Sequence, residues 1–142
     1  MAPTIRLIVH NLPQAEAALR AAAESAVPVT LESPPGAGRY WGPPYFVAMI
    51  VAARAAAPTA DCDAALDCGD APGLAIEAFR VGIKVVRLSE SGPATARVAD
   101  IAAQQGARLE IGAPPSEALD LDRVRDPFVA TRDFIASQMA RS

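Results

Sequence analysis

The sequence predicts an α/β fold, an open parallel sheet of five strands in a three-layer arrangement with helices on both faces. Three observations carry that expectation. Branched apolar runs alternate five times with stretches of helical periodicity, the links between them are short, and glycine or a cap followed by proline punctuates most boundaries. Parallel neighbours are joined by right-handed crossovers, so this alternation implies parallel strands covered by the helices that connect them.

Residues 4–10 (TIRLIVH) read as the first strand, and Asn11-Leu12-Pro13 starts a helix with Asn11 as its cap and Pro13 in its first turn. Ala15, Ala18, Leu19, Ala22 and Ala26 then recur at helical spacing. Residues 27–32 (VPVTLE) form the second strand. Residues 33–42 (SPPGAGRYWG) read as loop, and Pro43-Pro44 opens a second helix, apolar on nearly every side until Pro58 stops it. That helix is expected to be the most buried. The third strand is 63–67, followed by the turn Cys68-Gly69-Asp70 and a helix over 71–81 that Gly82 closes. Strand four is 83–88, a helix over 93–105 ends at Gly106, and 107–111 is strand five. Asp126-Pro127 caps a terminal amphipathic helix marked by Phe128, Thr131, Phe134, Ile135 and Met139, while 116–125 is read as holding one short turn.

A chain of 142 residues predicts a single domain, with 116–142 as a C-terminal helical extension. A complete eight-unit barrel needs about 250 residues, so five units point to the flavodoxin-like strand order 2-1-3-4-5, with half of a (β/α)8 barrel as the alternative. The 51% hydrophobic content excludes general disorder, and a net charge of −3 without a basic cluster excludes nucleic acid as the main partner. The longest apolar run, 45–53, is far short of the roughly 20 residues that span a bilayer, so no membrane partner is expected. The amino-terminal run lacks the features of a signal peptide, which predicts a cytoplasmic location. Arginine supplies every basic residue except Lys84, a bias typical of GC-rich bacterial genomes. Cys62 and Cys68 flank the third strand; at about 3.3 Å per residue they stand some 20 Å apart, so free thiols are expected.

Ligands of open parallel sheets bind beyond the carboxyl ends of the strands. Here those ends read His10-Asn11, Glu32-Ser33, Asp67-Cys68-Gly69-Asp70 and Ser89-Glu90-Ser91. His10 and Asp67 are the candidate acid/base groups, and Asn11, Glu32, Asp70 and Glu90 the candidate ligand-binding groups. Helix capping by Asn11, Asp70 and Ser91 is the structural alternative. In the loop before the second helix, Arg39 and Trp41 join the candidates, because four of the seven aromatic residues lie between Tyr40 and Phe46 and free amides at a helix start favour an anion. No paired ligands at fixed spacing indicate a metal site; the three-residue spacing of Asp67 and Asp70 comes nearest, for a magnesium ion. The stretch Gly36–Gly42 carries neither a Walker ending nor GxGxxG spacing, and no cofactor is named.

Asp67 through Glu90 (DCGDAPGLAIEAFRVGIKVVRLSE) resembles one strand-helix-strand unit of phosphate-binding and aldolase-type (β/α)8 barrels. A Schiff-base aldolase implies a lysine near the carboxyl end of a strand, whereas Lys84 opens strand four, and the metal-dependent type implies several histidines where this chain has one. The five-unit order is also similar to that of response-regulator receivers, with Asp67 at the phosphoacceptor position, but no acidic pair follows strand one. Two functions remain: a site for a small polar molecule at the carboxyl edge, or a non-catalytic module whose aromatic loop and terminal helix bury themselves against another copy; a homodimer is expected in which the second helix, 44–57, is covered by the partner.

Overall fold

The computed structural model describes residues 5–141 and contains, among them, six strands and six helices. In chain order these are β1 (Ile5–Ile8), α1 (Leu12–Ser25), β2 (Val29–Glu32), α2 (Ala37–Trp41), α3 (Pro43–Ala56) and β3 (Cys62–Asp67). They continue with α4 (Pro72–Arg80), β4 (Val85–Leu88), α5 (Thr95–Gln104), β5 (Arg108–Ile111), β6 (Leu119–Asp120) and α6 (Pro127–Ala140). The expected first residue of strand one, Thr4, lies outside the described residues.

The strands form a six-stranded parallel sheet in the order β5-β4-β3-β2-β1-β6, not five strands in the order 2-1-3-4-5. The expected order would place β1 between β2 and β3. Instead β1 lies between β2 and β6, with Leu7 opposite Leu119 and Ile8 opposite Asp120. Hydrophobic periodicity specifies that a crossover occurs but not to which side it steps, and here each crossover from β1 to β5 steps the same way. The free edge of β1 is taken by two residues that the sequence presents only as turn. Leu121 N–H donates to the Ile8 carbonyl at 2.9 Å, and the Gln14 amide donates to the Leu121 carbonyl at 3.0 Å, so α1 and β1 together hold β6 in place.

The chain divides into two compact units. Among the described residues, the first comprises 5–32, Met49–Asp63 and 115–141. Its strands β1 and β2 are buried at every position, with Ile5, Leu7, Val29 and Leu31 alternating with Arg6, Thr30 and Glu32. Asn11 caps α1 by accepting the Gln14 N–H, and the alanine stripe of that helix, with Leu19, is buried where α1 packs on α6. Each of the large aliphatic residues withdrawn from water here contributes about 1.5–3 kcal/mol.

The second unit comprises Ser33–Ala48 and Ala64–Pro114. Ala65, Leu66, Val85, Val86 and Leu88 of its strands are buried, as are Ala75, Ala78 and Phe79 of α4 and Val98 and Ala102 of α5. Gly82, with φ of 95°, turns the chain out of α4 as expected. β3 to β4 to β5 are two successive crossovers in one direction, and α4 packs on α5, which puts both helices on one face of these strands rather than on two.

Two local expectations also change. The glycine-rich stretch read as loop contains the short helix α2, and α3 is not the most buried helix. Phe46, Met49, Ile50 and Ala53 of α3 are buried at helical spacing, but Pro44, Ala48, Val51 and Ala55 on the remaining side are exposed, Val51 by 63%. An apolar sequence on every side of a helix does not require burial on every side, because small side chains tolerate water at little cost.

Candidate functional site

In the first unit, the register of β6 on β1 brings Asp120 to the carboxyl end of β1, where the chain passes from Ile8 into His10. His10 Nε2 lies 2.7 Å from Asp120 Oδ1, with the two side chains 26% and 52% exposed. A carboxylate oxygen accepts, so in this pair Nε2 is the donor and Nδ1 is the ring nitrogen left for another partner. Two further bonds fix the geometry: the His10 N–H donates to Gln14 Oε1 at 2.7 Å, and Asp120 Oδ1 accepts the Asp122 N–H at 2.9 Å. Asn11 stands next to this pair in sequence, with its side chain engaged as the cap of α1 through a 2.9 Å bond.

Glu32 ends β2 but does not stand open to solvent. It is fully buried, 5% exposed Arg6 donates to it through Nη1, and both lie on the same face of β1 and β2, to which Thr30 also belongs. One face of these strands therefore carries Arg6, Thr30 and Glu32 beside Ile8, all buried, and the other is wholly apolar.

The second unit repeats the pattern. Asp67, Arg87 and Glu110 stand opposite one another in register across β3, β4 and β5. Asp67 Oδ1 accepts the N–H groups of Gly36 at 3.0 Å and Gly69 at 2.9 Å, so one carboxylate ties the start of α2 to the turn after β3. Its own N–H donates to Ser33 Oγ at 2.9 Å. Buried Arg87 donates Nη2 to Glu110 at 2.7 Å and Nη1 to the carbonyls of Gly112 at 3.3 Å and Ala113 at 3.2 Å, which shapes the loop after β5. Beside Asp67 lies a cleft of about 300 Å³ lined by Asp67, Gly69, Ser89 and Gly112 with Gly36 and Pro35. A second cleft of about 260 Å³ has Asp70, Glu90 and Ser91 in its wall. Backbone approach is close here: a methyl group added at Gly38 would meet the Asp67 carbonyl and Cys68 Sγ at 3.1 Å.

Arg39 pairs with Asp70, and since both side chains are more than half exposed the pair adds little stability. Neither Asp70 nor Ser91 caps a helix; the positions before α4 and α5 are Ala71 and Ala94. Trp41 stacks on fully buried Phe46 with ring centroids 6.3 Å apart and meets Tyr45 and Tyr40 at 5.7 and 5.9 Å, so its ring is engaged in packing. Both cysteines are free and buried. Burial, with Asp67 and Glu77 adding to it, pushes the Cys68 thiol up to about 12, and burial also raises Cys62, partly offset by Arg54. Among the described residues no group of three or more His, Cys, Asp or Glu side chains is placed to hold a metal ion.

Asp120, Gln14 and Arg87 were not among the residues singled out from sequence. Arg87 carried a signal, a charge at the inward-alternating position of an otherwise apolar strand, and Asp120 a weaker one in the alternation Leu119-Asp120-Leu121.

Among the described residues, no helix is long and apolar enough to cross a membrane. No family model matches the chain, and no curated protein matches it either. A solved structure of a provisionally assigned fructose-1,6-biphosphate aldolase from Coccidioides immitis is similar, with a TM-score of 0.61 at 20% identity over 90% of this chain. The match covers 52% of that aldolase chain, so this chain spans about half its length. At that identity the likeness extends to the fold, an α/β architecture with a parallel sheet.

Proposed function

We propose that the protein acts on a small polar molecule at the carboxyl edge of its sheet, with His10 moving the proton and Asp120 holding the imidazole in its working tautomer. The observation that carries this reading is the 2.7 Å Nε2 to Oδ1 bond, because a ring anchored through one nitrogen presents the other as a base. Partial exposure leaves His10 reachable by a ligand. The second unit by itself has its own polar groups at strand ends, Asp67 and the clefts walled by Ser89, Asp70 and Glu90. The sequential strand order supports the finer fold reading, half of a (β/α)8 barrel. Aldol chemistry is not included in the proposal. Lys84 precedes β4 at its amino end, where its Nζ donates to the Gln105 carbonyl at 3.3 Å, and a single histidine cannot supply a multi-histidine metal site.

A homodimeric cytoplasmic module without catalysis is the second reading, favoured by the exposed apolar side of α3, where Tyr45 is 55% and Val51 63% exposed. The two readings separate in one experiment. A thermal-shift screen with sugars, phosphates, nucleotides and divalent metals is combined with the NMR signals of the only histidine. The enzyme reading expects a compound that both raises Tm and moves the His10 ring resonances. A stabilising compound that leaves His10 untouched removes it from the site, and the absence of any stabiliser favours the module.

A further inference from the structure

The register of β5 shows which of its backbone groups have no partner strand among the described residues. Arg108 N–H donates to the Lys84 carbonyl and Gly112 N–H to the Leu88 carbonyl, so the even-numbered residues of β5 face β4. In a parallel ladder the alternate residues point their N–H and C=O the other way. Leu109 and Ile111 therefore direct their backbone groups outward, at the end of a sheet in which β5 has β4 as its one neighbour. The side chains are also accessible: Arg108, whose Nε donates to Glu110 of its own chain at 3.3 Å, is 53% exposed at its side chain, and Ile111 is 40% exposed, so a partner's charges add to an existing pair. A bare edge of this kind is a template for another strand.

We propose that this edge is an interface with a second copy of the chain, formed by β5 pairing antiparallel with β5 of the partner about a twofold axis at Leu109. The register follows from the outward groups and the charges. Outward residues must form the hydrogen-bonded pairs, which allows Leu109 to face the partner's Ala107, Leu109 or Ile111; the first is centred on Arg108 and sets two arginines face to face, which is destabilising. Centring on Leu109 sets Arg108 opposite the partner's Glu110 twice, and sets Ile111 opposite the partner's Ala107, where the Ile111 N–H meets the Ala107 carbonyl while the Ala107 N–H stays with the Ala102 carbonyl of its own chain at 2.8 Å. Centring on Glu110 would set two glutamates face to face, which is destabilising. The arrangement is self-complementary, as a closed twofold dimer requires. It also covers Leu109 and Ile111. The other edge strand, β6, has two residues and offers no ladder of comparable length.

Sedimentation of the 142-residue chain at about 100 µM, suited to a small interface, tests this. Leu109→Pro removes an outward N–H and leaves the bonds to β4 in place, while Arg108→Glu replaces both attractive pairs by repulsive ones. Wild type is expected to sediment as a dimer, and both variants as monomers with unchanged circular dichroism. Val51→Asp, on α3, is expected to remain dimeric. A monomeric wild type overturns the proposal, as does a dimer that survives either β5 variant. Loss of the dimer in Val51→Asp overturns it too and assigns the interface to α3. Should Leu109→Pro not fold, Arg108→Glu decides alone.

Discussion

His10 and Asp120 are 110 positions apart in sequence and share a 2.7 Å bond, because the two residues of β6 pair with the end of β1. The bond depends on register: a slip of one residue would turn Asp120 to the opposite face of the sheet.

This geometry predicts the histidine tautomer. Ring nitrogen shifts of the single histidine should show the proton on Nε2 in the wild type, and Asp120→Asn should redistribute it between both nitrogens. Because both side chains are partly exposed, the same substitution is expected to change unfolding free energy by no more than about 0.5 kcal/mol. A ring whose nitrogen shifts ignore the substitution would remove Asp120 from the orienting role.

Glu32 and Arg6 form a buried pair, and breaking one side removes the ion pair that offsets the burial of the other charge. Glu32→Ala is expected to cost about 3–5 kcal/mol in urea unfolding. Arg6→Met combined with Glu32→Leu should recover most of that loss. A single variant as stable as wild type would show that the pair has no part in holding β1 to β2.

Asp67 anchors two loop amides, so Asp67→Ala is expected to destabilise by about 3 kcal/mol and to loosen the segments around Gly36 and Gly69. Hydrogen exchange at these two amides provides the direct measurement. Gly38→Ala should cost about 1–3 kcal/mol for a different reason, the contact of its new methyl group with the Asp67 carbonyl and Cys68 Sγ.

The raised Cys68 thiol makes stability depend on pH in the alkaline range. The unfolded thiol loses its proton near 9 and the folded one near 12, so the contribution is complete below 9 and is lost as pH rises from 9 to 12. Three pH units correspond to an upper bound of about 4 kcal/mol. Urea midpoints of wild type and Cys68→Ala between pH 8 and 11 should converge or cross as the wild type alone loses this term. Parallel curves would contradict the assignment. In the folded protein at pH 8 neither thiol should react with a thiol reagent, whereas both react once denatured.

Period and punctuation in the sequence determined most elements, since the runs around Ile5, Val29, Val85 and Arg108 and the caps at Asn11 and Asp126 act through near neighbours. The unlinked cysteines followed from distance along one strand. Polar groups at the strand ends were also readable, His10 and Asp67 among them. Only the tertiary structure decided what those groups meet. Glu32 is a site group by position and a buried partner of Arg6 by packing; Asp67 is a candidate acid by position and a loop anchor by its bonds. Strand order was beyond local pattern for the same reason. A crossover helix looks alike in sequence whichever way it steps, and a two-residue strand such as Leu119–Asp120 is stabilised by the edge of β1 and by Gln14, not by any preference of its own.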